Sequence, residues 1–358
     1  MTMLKEATPP LKNVSGQRCS NIELLRIVAM LMIILHHYCV NSGLQDMIDV
    51  NHLTANAILI QLMAVGGKIG VNIFFLISGY FVINSSFKSE HVVRLVMQVL
   101  FYEFLVTIFL HALGYRFTPK EYLGLIPFVF GVNDFVPCYL LVYMLSPIIN
   151  KMLKTLSQKE FKFLLGVFLF YFMIEQTFML QATWNYFSWA LTMYMTGAYI
   201  RLYGVKVPKV GFGPLTALSF LFIWSCVLLI DLLHKEGDMI NWRFFLWDAN
   251  KLTVFLPALL MFLWFLNMRL KPSSIINQLA ACSFGVFLIH TMNNTERQWL
   301  WGDLFNNVGQ FDSALLVVHA FFATFTVYIG GAVVDTMRRK WFEPFMLSKT
   351  SYIKNSLR

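Results

Sequence analysis

Residues 21–43 read NIELLRIVAMLMIILHHYCVNSG. A bilayer crossing takes about 20 apolar residues, and this run supplies them while also carrying Glu23, Arg26, His36 and His37. A charge at the bilayer centre costs roughly 2.5–3.5 kcal/mol on insertion scales, so polar residues kept in a span usually serve a purpose. Arg26 and His37 are eleven positions apart. At about 100° per residue that returns to within about 20° of the starting direction, with a rise of about 16.5 Å. The two side chains therefore share one helix face, and His36 points about 80° away from it. There is a plainer reading: an arginine near a span's end snorkels to the interface, and a membrane histidine bonds a neighbouring helix.

The rest of the chain repeats the apolar theme. Of its 358 residues 58% are hydrophobic and 13% charged, against roughly 25% charged in soluble domains, and the mean hydropathy is +0.62. This composition excludes a soluble globular protein and predicts an all-α, polytopic membrane bundle. Ten spans are expected, at about 22–40, 67–84, 94–114, 135–150, 162–181, 186–202, 212–233, 248–268, 275–292 and 312–334. Residues 53–66 read as an amphipathic lead-in to the second span, and 121–133 as a short interfacial or re-entrant stretch.

With the N-terminus in the cytoplasm, the cytoplasmic side collects 20 of the 28 Lys and Arg residues. The opposite side receives six, while Arg26 and Lys68 fall within spans. The positive-inside rule thus predicts ten spans with both termini cytoplasmic. The net charge of +9 is then a matter of membrane orientation, and no nucleic-acid partner is expected. The five cysteines are scattered without metal-ligand or redox spacing, so neither a metal site nor a disulfide framework is predicted. The expected organisation is a polar tail (1–20), one transmembrane domain (21–335) and a basic tail (336–358), with no cleaved signal peptide.

The shared face of Arg26 and His37 suits a long, thin ligand with an anionic head and a distant reactive end, which is the shape of acyl-coenzyme A. The stretch also resembles the first span of the integral-membrane acyltransferase-3 family, which carries Arg or Lys, ten residues, then His: here Arg26, IVAMLMIILH, His37. GGKIGVNIFFLISGYFV (66–82) is similar to that family's second signature. YLLVYMLSPIIN (139–150) and SFGVFLIHTM (283–292) resemble later familial stretches. The resemblance implies an O-acyltransferase of the bacterial cytoplasmic membrane, moving an acyl group, most often acetyl from acetyl-CoA, to a hydroxyl of a surface or lipid-linked glycan. It implies His37 as the catalytic histidine and Arg26 as its motif partner. Where relatives carry an Arg-x-x-Arg-type motif, this chain reads His91-Val-Val-Arg94, and only Arg94 carries over. Where relatives often carry Trp near the fourth span, it reads DFVPCY.

On this reading His37 takes the proton of an acceptor hydroxyl, helped by an unperturbed pKa of about 6.5, or forms a covalent acyl-histidine. Arg26 and Arg94 are expected to hold donor phosphates. Glu23, three residues before Arg26, orients or neutralises it. Asn72 and Ser78 either pack the glycine-rich second span or line a passage. Glu103 and Glu175 should face the bundle, Glu175 as the better candidate for contacting the acceptor or orienting the imidazole. His290, near an external span end, either contacts the acceptor or is structural. Trp184, Trp189, Trp299 and Trp301 read as interfacial belt residues. The rival reading is a membrane transporter of a glycan or lipid-linked sugar.

Overall fold

The computed structural model describes residues 19–124, 135–178, 185–233 and 241–345. The tails up to residue 18 and from 346 on lie outside the described residues, as do most of the expected interfacial stretch 121–133 and Trp184. The described residues are helical with no strand. In chain order the helices are α1 (Ser20–Val40), α2 (Ala55–Ala64), α3 (Gly66–Val82), α4 (Ser89–Ala112), α5 (Pro119–Gly124), α6 (Phe135–Thr155), α7 (Gln158–Leu169) and α8 (Gln176–Phe178). They continue as α9 (Tyr186–Tyr203), α10 (Phe212–Leu233), α11 (Leu252–Asn267), α12 (Ser274–Ala281), α13 (Ser283–Ile289), α14 (Asn294–Arg297) and α15 (Leu316–Met337).

Among the described residues, seven helices are long and apolar enough to cross a membrane: Ser20–Val40, Ala55–Val82, Ser89–Ala112, Phe135–Thr155, Gln158–Phe178, Phe212–Leu233 and Leu316–Phe345. Ser274–Ile289 with Asn294–Gln310 makes an eighth if that pair, bent by 105°, is one broken span. The expected span at 275–292 falls on Ser274–Ile289, and the bend comes at its end. The expected span at 248–268 is a helix of only 16 residues. The one at 186–202 is α9, whose Thr192, Thr196, Tyr194 and Trp189 are buried between neighbours. A helix enclosed by protein on most sides does not need a uniformly apolar surface.

Helix α1 lies at the centre, packed on α3, α15, α12 and α2, and α3 is pressed most closely against α9. That closeness depends on two glycines. A Cβ on Gly79 would overlap the Tyr194 carbonyl, and one on Gly197 the Leu76 carbonyl, which is the usual role of small residues where membrane helices cross. The outer faces of α4, α10 and α15 expose Ile108, Leu232, Phe322 and Ile329, as lipid contact requires.

Polar bonds tie helix ends together in two sets. At one end of the bundle, Ser20 donates to Asn277 (2.9 Å), Asn21 to the Phe265 carbonyl (3.0 Å) and Asn150 to the Val82 carbonyl (2.9 Å). At the other, Asn307 donates to the Tyr38 carbonyl (3.0 Å), Asn56 to the Phe311 carbonyl (2.7 Å) and Lys251 to the Gln176 carbonyl (2.8 Å).

At this second end Glu121 joins the α4–α6 connection to α14. Its carboxylate accepts bonds from the backbone N–H and hydroxyl of both Thr118 and Thr295, each 2.9 Å. Burial pushes the carboxyl up, but these donors outweigh it and hold it below its ordinary range. A depressed carboxylate stabilises the fold above its unfolded pKa, and the contribution is lost as pH falls through the folded value. The stability difference between wild type and Glu121→Gln should therefore be present at pH 7 and shrink as the pH falls below the ordinary carboxylate range, read by thermal unfolding in detergent.

Candidate active site

Three adjoining cavities form a row, two of them lined by α1. The innermost, about 590 Å³, opens beside the α3–α4 connection and is walled by Ser85, Lys88, His91 and Tyr143. The middle one, about 240 Å³, holds Arg26 from α1, Ser78 from α3 and Tyr139 from α6. The outermost, about 160 Å³, holds His36 and His37 with Lys68, Tyr186, Thr291 and Arg297. Leu95 and Tyr139 border both the first and second. Ile33, Val71, Phe135 and Phe287 border both the second and third. Arg26 and His37 thus face the same row of cavities, as their spacing on one helix face requires.

His37 is in ring contact with His36 (5.6 Å between centroids) and His290 (5.2 Å). The Nδ1 of His36 lies 2.6 Å from the Ala64 carbonyl, and that of His290 bonds the Val286 carbonyl. A carbonyl only accepts, so both rings carry the proton on Nδ1. The fully buried His290 keeps a free Nε2, and the Nδ1 of His37 likewise has no hydrogen-bond partner among the described residues. His36 is therefore anchored, whereas His37 lines the cavity with its Nδ1 unbonded among the described residues. Gly67 makes room for this arrangement, because a Cβ there would run into the His36 ring.

The bend after α13 brings His290, Thr291 and Arg297 to this place. Asn293 accepts from the Glu296 N–H (2.7 Å) and starts α14, while the Glu296 carboxylate accepts from the Met292 N–H (3.0 Å). These bonds satisfy backbone groups that the break frees, which is a condition for irregular backbone at membrane depth.

The other expected site residues divide. Glu23 pairs with Arg26 at 3.6 Å, holding its guanidinium at the middle cavity. Ser78 lines that cavity with its hydroxyl donated to the Phe74 carbonyl. Asn72 is fully buried and structural: it donates to the Ala249 carbonyl (2.8 Å) and accepts from the Trp189 indole (2.9 Å). Trp189 is correspondingly a core residue rather than a belt one, as is Trp301. Arg94 is half exposed, pairs with Glu343 at 3.6 Å and does not line the cavities, whereas His91, one turn earlier, does. Glu175, at the end of a π-helical turn (Phe170–Glu175), is not among the cavity walls. Lys68, Arg297, Tyr139 and Lys88 are the site residues that sequence reasoning had not assigned. For Lys68 a signal existed, since a lysine inside an apolar run is itself a functional indication.

The arrangement offers an imidazole for proton transfer at one end of a narrow apolar passage, and cations with hydroxyls at the other. No group of three or more His, Cys, Asp or Glu among the described residues is placed to hold a metal ion. No curated protein and no solved structure matches the chain. The family profile described as "Acyltransferase domain" matches residues 20–334. With that match spanning most of its length, and with apolar helices that make it a multi-pass membrane protein, the chain belongs to the membrane-bound acyltransferase-3 family.

Proposed function

We propose that this acyltransferase is an O-acyltransferase of the bacterial cytoplasmic membrane, moving an acyl group, acetyl from acetyl-CoA in the simplest case, to a hydroxyl of a surface or lipid-linked glycan. The observation that carries the reading is the row of cavities linking Lys88 and His91 to His37. An acyl-CoA is bulky and anionic at its nucleotide end and thin along its pantetheine arm. The largest cavity lies at the end with Lys88 and His91, Arg26 stands midway, and the narrower apolar passage leads to the imidazole.

In this reading the chain crosses the bilayer ten times, with α9 and the short, strongly apolar α11 as two of the crossings and both termini cytoplasmic. Lys88 and His91 then belong to a cytoplasmic entrance, and His37 to the external half. Lys88, His91 and Arg26 hold the donor's phosphates by charge-assisted hydrogen bonds, and Arg94 has a structural role. His37 takes the proton of the acceptor hydroxyl as its oxygen bonds to the thioester carbonyl carbon. The carbon–sulfur bond breaks, and the imidazolium returns that proton to the departing thiolate.

Sealed vesicles of both orientations test the sidedness. With radiolabelled acetyl-CoA supplied outside, label should enter glycan in inside-out vesicles and not in right-side-out ones. Equal labelling from either face, or vectorial movement of glycan without acylation, contradicts the proposal.

A further inference from the structure

The outer cavity holds a cation that the chemistry of a neutral acetyl group and a neutral sugar does not call for. Arg297 reaches it from α14, after the 105° break, and Lys68 reaches it from α3. The Arg297 guanidinium makes one weak bond, from Nη2 to the Thr291 carbonyl at 3.4 Å, and its Nε has no partner among the described residues. No carboxylate among the described residues comes within ion-pair distance of it. The adjacent Glu296 is buried with one oxygen on the Met292 N–H, and it acts on the guanidinium only through space, without an ion-pair contact. The Thr291 hydroxyl is spent on the Phe287 carbonyl.

A guanidinium at membrane depth with donors to spare is costly to retain unless an anion meets it. Its planar fork matches a carboxylate or phosphate in two parallel bonds. There is also a charge argument at the reacting centre. His37 carries a positive charge midway through transfer, beside Arg297, and a negative group on the substrate offsets this accumulation.

We infer that the outer cavity is a subsite for an anionic group, a carboxylate or phosphodiester, carried by one of the two substrates next to the reacting atoms and held by Arg297. The inference rests on the acyl-transfer reading of His37. The anion has two possible sources, an acidic sugar on the acceptor or a dicarboxylic acyl chain on the donor. Arg297 is then a specificity determinant of the site.

The test uses the full chain in lipid nanodiscs, with acetyl-CoA or succinyl-CoA as donor and methyl glucuronide or methyl glucoside as acceptor, product being measured by mass spectrometry. Wild type should show a kcat/KM roughly 10- to 100-fold higher for an anion-bearing pair than for acetyl-CoA with methyl glucoside. Preference for the glucuronide with the acetyl donor assigns the anion to the acceptor. Preference for succinyl-CoA with the glucoside assigns it to the donor. Arg297→Gln should lower kcat/KM for the charged pair far more than for the neutral pair, collapsing that ratio toward one mainly through KM, and Arg297→Lys should retain part of it. Equal kcat/KM for all pairs in wild type overturns the inference. So does an equal loss on charged and neutral pairs in both Arg297 variants, which would place Arg297 in oxyanion stabilisation or in the fold. A His37→Ala protein as active as wild type instead overturns the underlying acyl-transfer reading, a result separate from either of these.

Discussion

Val71→Trp should reduce acyl transfer by at least about 100-fold while leaving the unfolding temperature nearly unchanged. Val71 is half-buried on α3 and borders both the middle and the outer cavity. Its neighbours at that junction are Ile33, Phe135 and Phe287, which leave a narrow apolar connection between Arg26 and His37. An indole there is expected to extend into the cavities that Val71 borders, which limits the displacement of packed side chains, the usual cause of overpacking losses. It does occupy the path an acyl chain must take to the imidazole. Activity measured with acetyl-CoA beside a thermal melt separates the two effects. Undiminished transfer by this variant would mean that the donor reaches His37 by another route.

The second large effect concerns stability. Asp335 is fully buried on α15 and accepts hydrogen bonds from Gln98 (3.1 Å), Tyr102 (3.0 Å) and the Nε of Arg338 (2.8 Å). Arg338 also reaches Glu343 (3.1 Å), which in turn pairs with Arg94. The cluster clasps α4 to the end of α15, and Gly285 of α13 fits against it only because it has no side chain. Asp335→Ala removes the acceptor shared by three donors and leaves the buried Arg338 with one carboxylate instead of two. Breaking such a buried pair costs about 3–5 kcal/mol, which a thermal melt in detergent reads directly. Asp335→Asn keeps an acceptor oxygen for Gln98 and Tyr102 and should fall between Ala and wild type. An Ala variant as stable as the parent would mean that these groups are solvated rather than desolvated.

Much of the architecture was legible because lipid imposes its demand residue by residue. A helix such as α10 or α15 must be apolar outside whatever its neighbours are, so composition alone locates it. The common face of Arg26 and His37 was legible for a similar reason: helix geometry depends on spacing and not on partners. What escaped depends on partners far along the chain. Arg94 pairs with Glu343, about 250 positions further along, a contact that no local pattern announces. Asn72 looked as fit to line a passage as to pack, and the Ala249 carbonyl and the Trp189 indole decide for packing. The break after α13 comes where an apolar run meets His290 to Gln298, and Asn293 followed three positions later by Glu296 is a helix-start pattern. Without that break Arg297 reads as a loop residue, and its approach to His37 has no trace in the linear order.

The account rests on His37 as the imidazole that handles the transferred proton, and one measurement bears on it most directly. Membranes with equal amounts of wild type, His37→Ala or His36→Ala receive radiolabelled acetyl-CoA, and label in envelope glycan is counted. The expected result is a loss of roughly 100- to 10,000-fold for His37→Ala, the range of general acid–base contributions. His36→Ala should keep substantial activity, because the His36 ring is anchored to the Ala64 carbonyl. Labelling by His37→Ala equal to wild type would contradict the account.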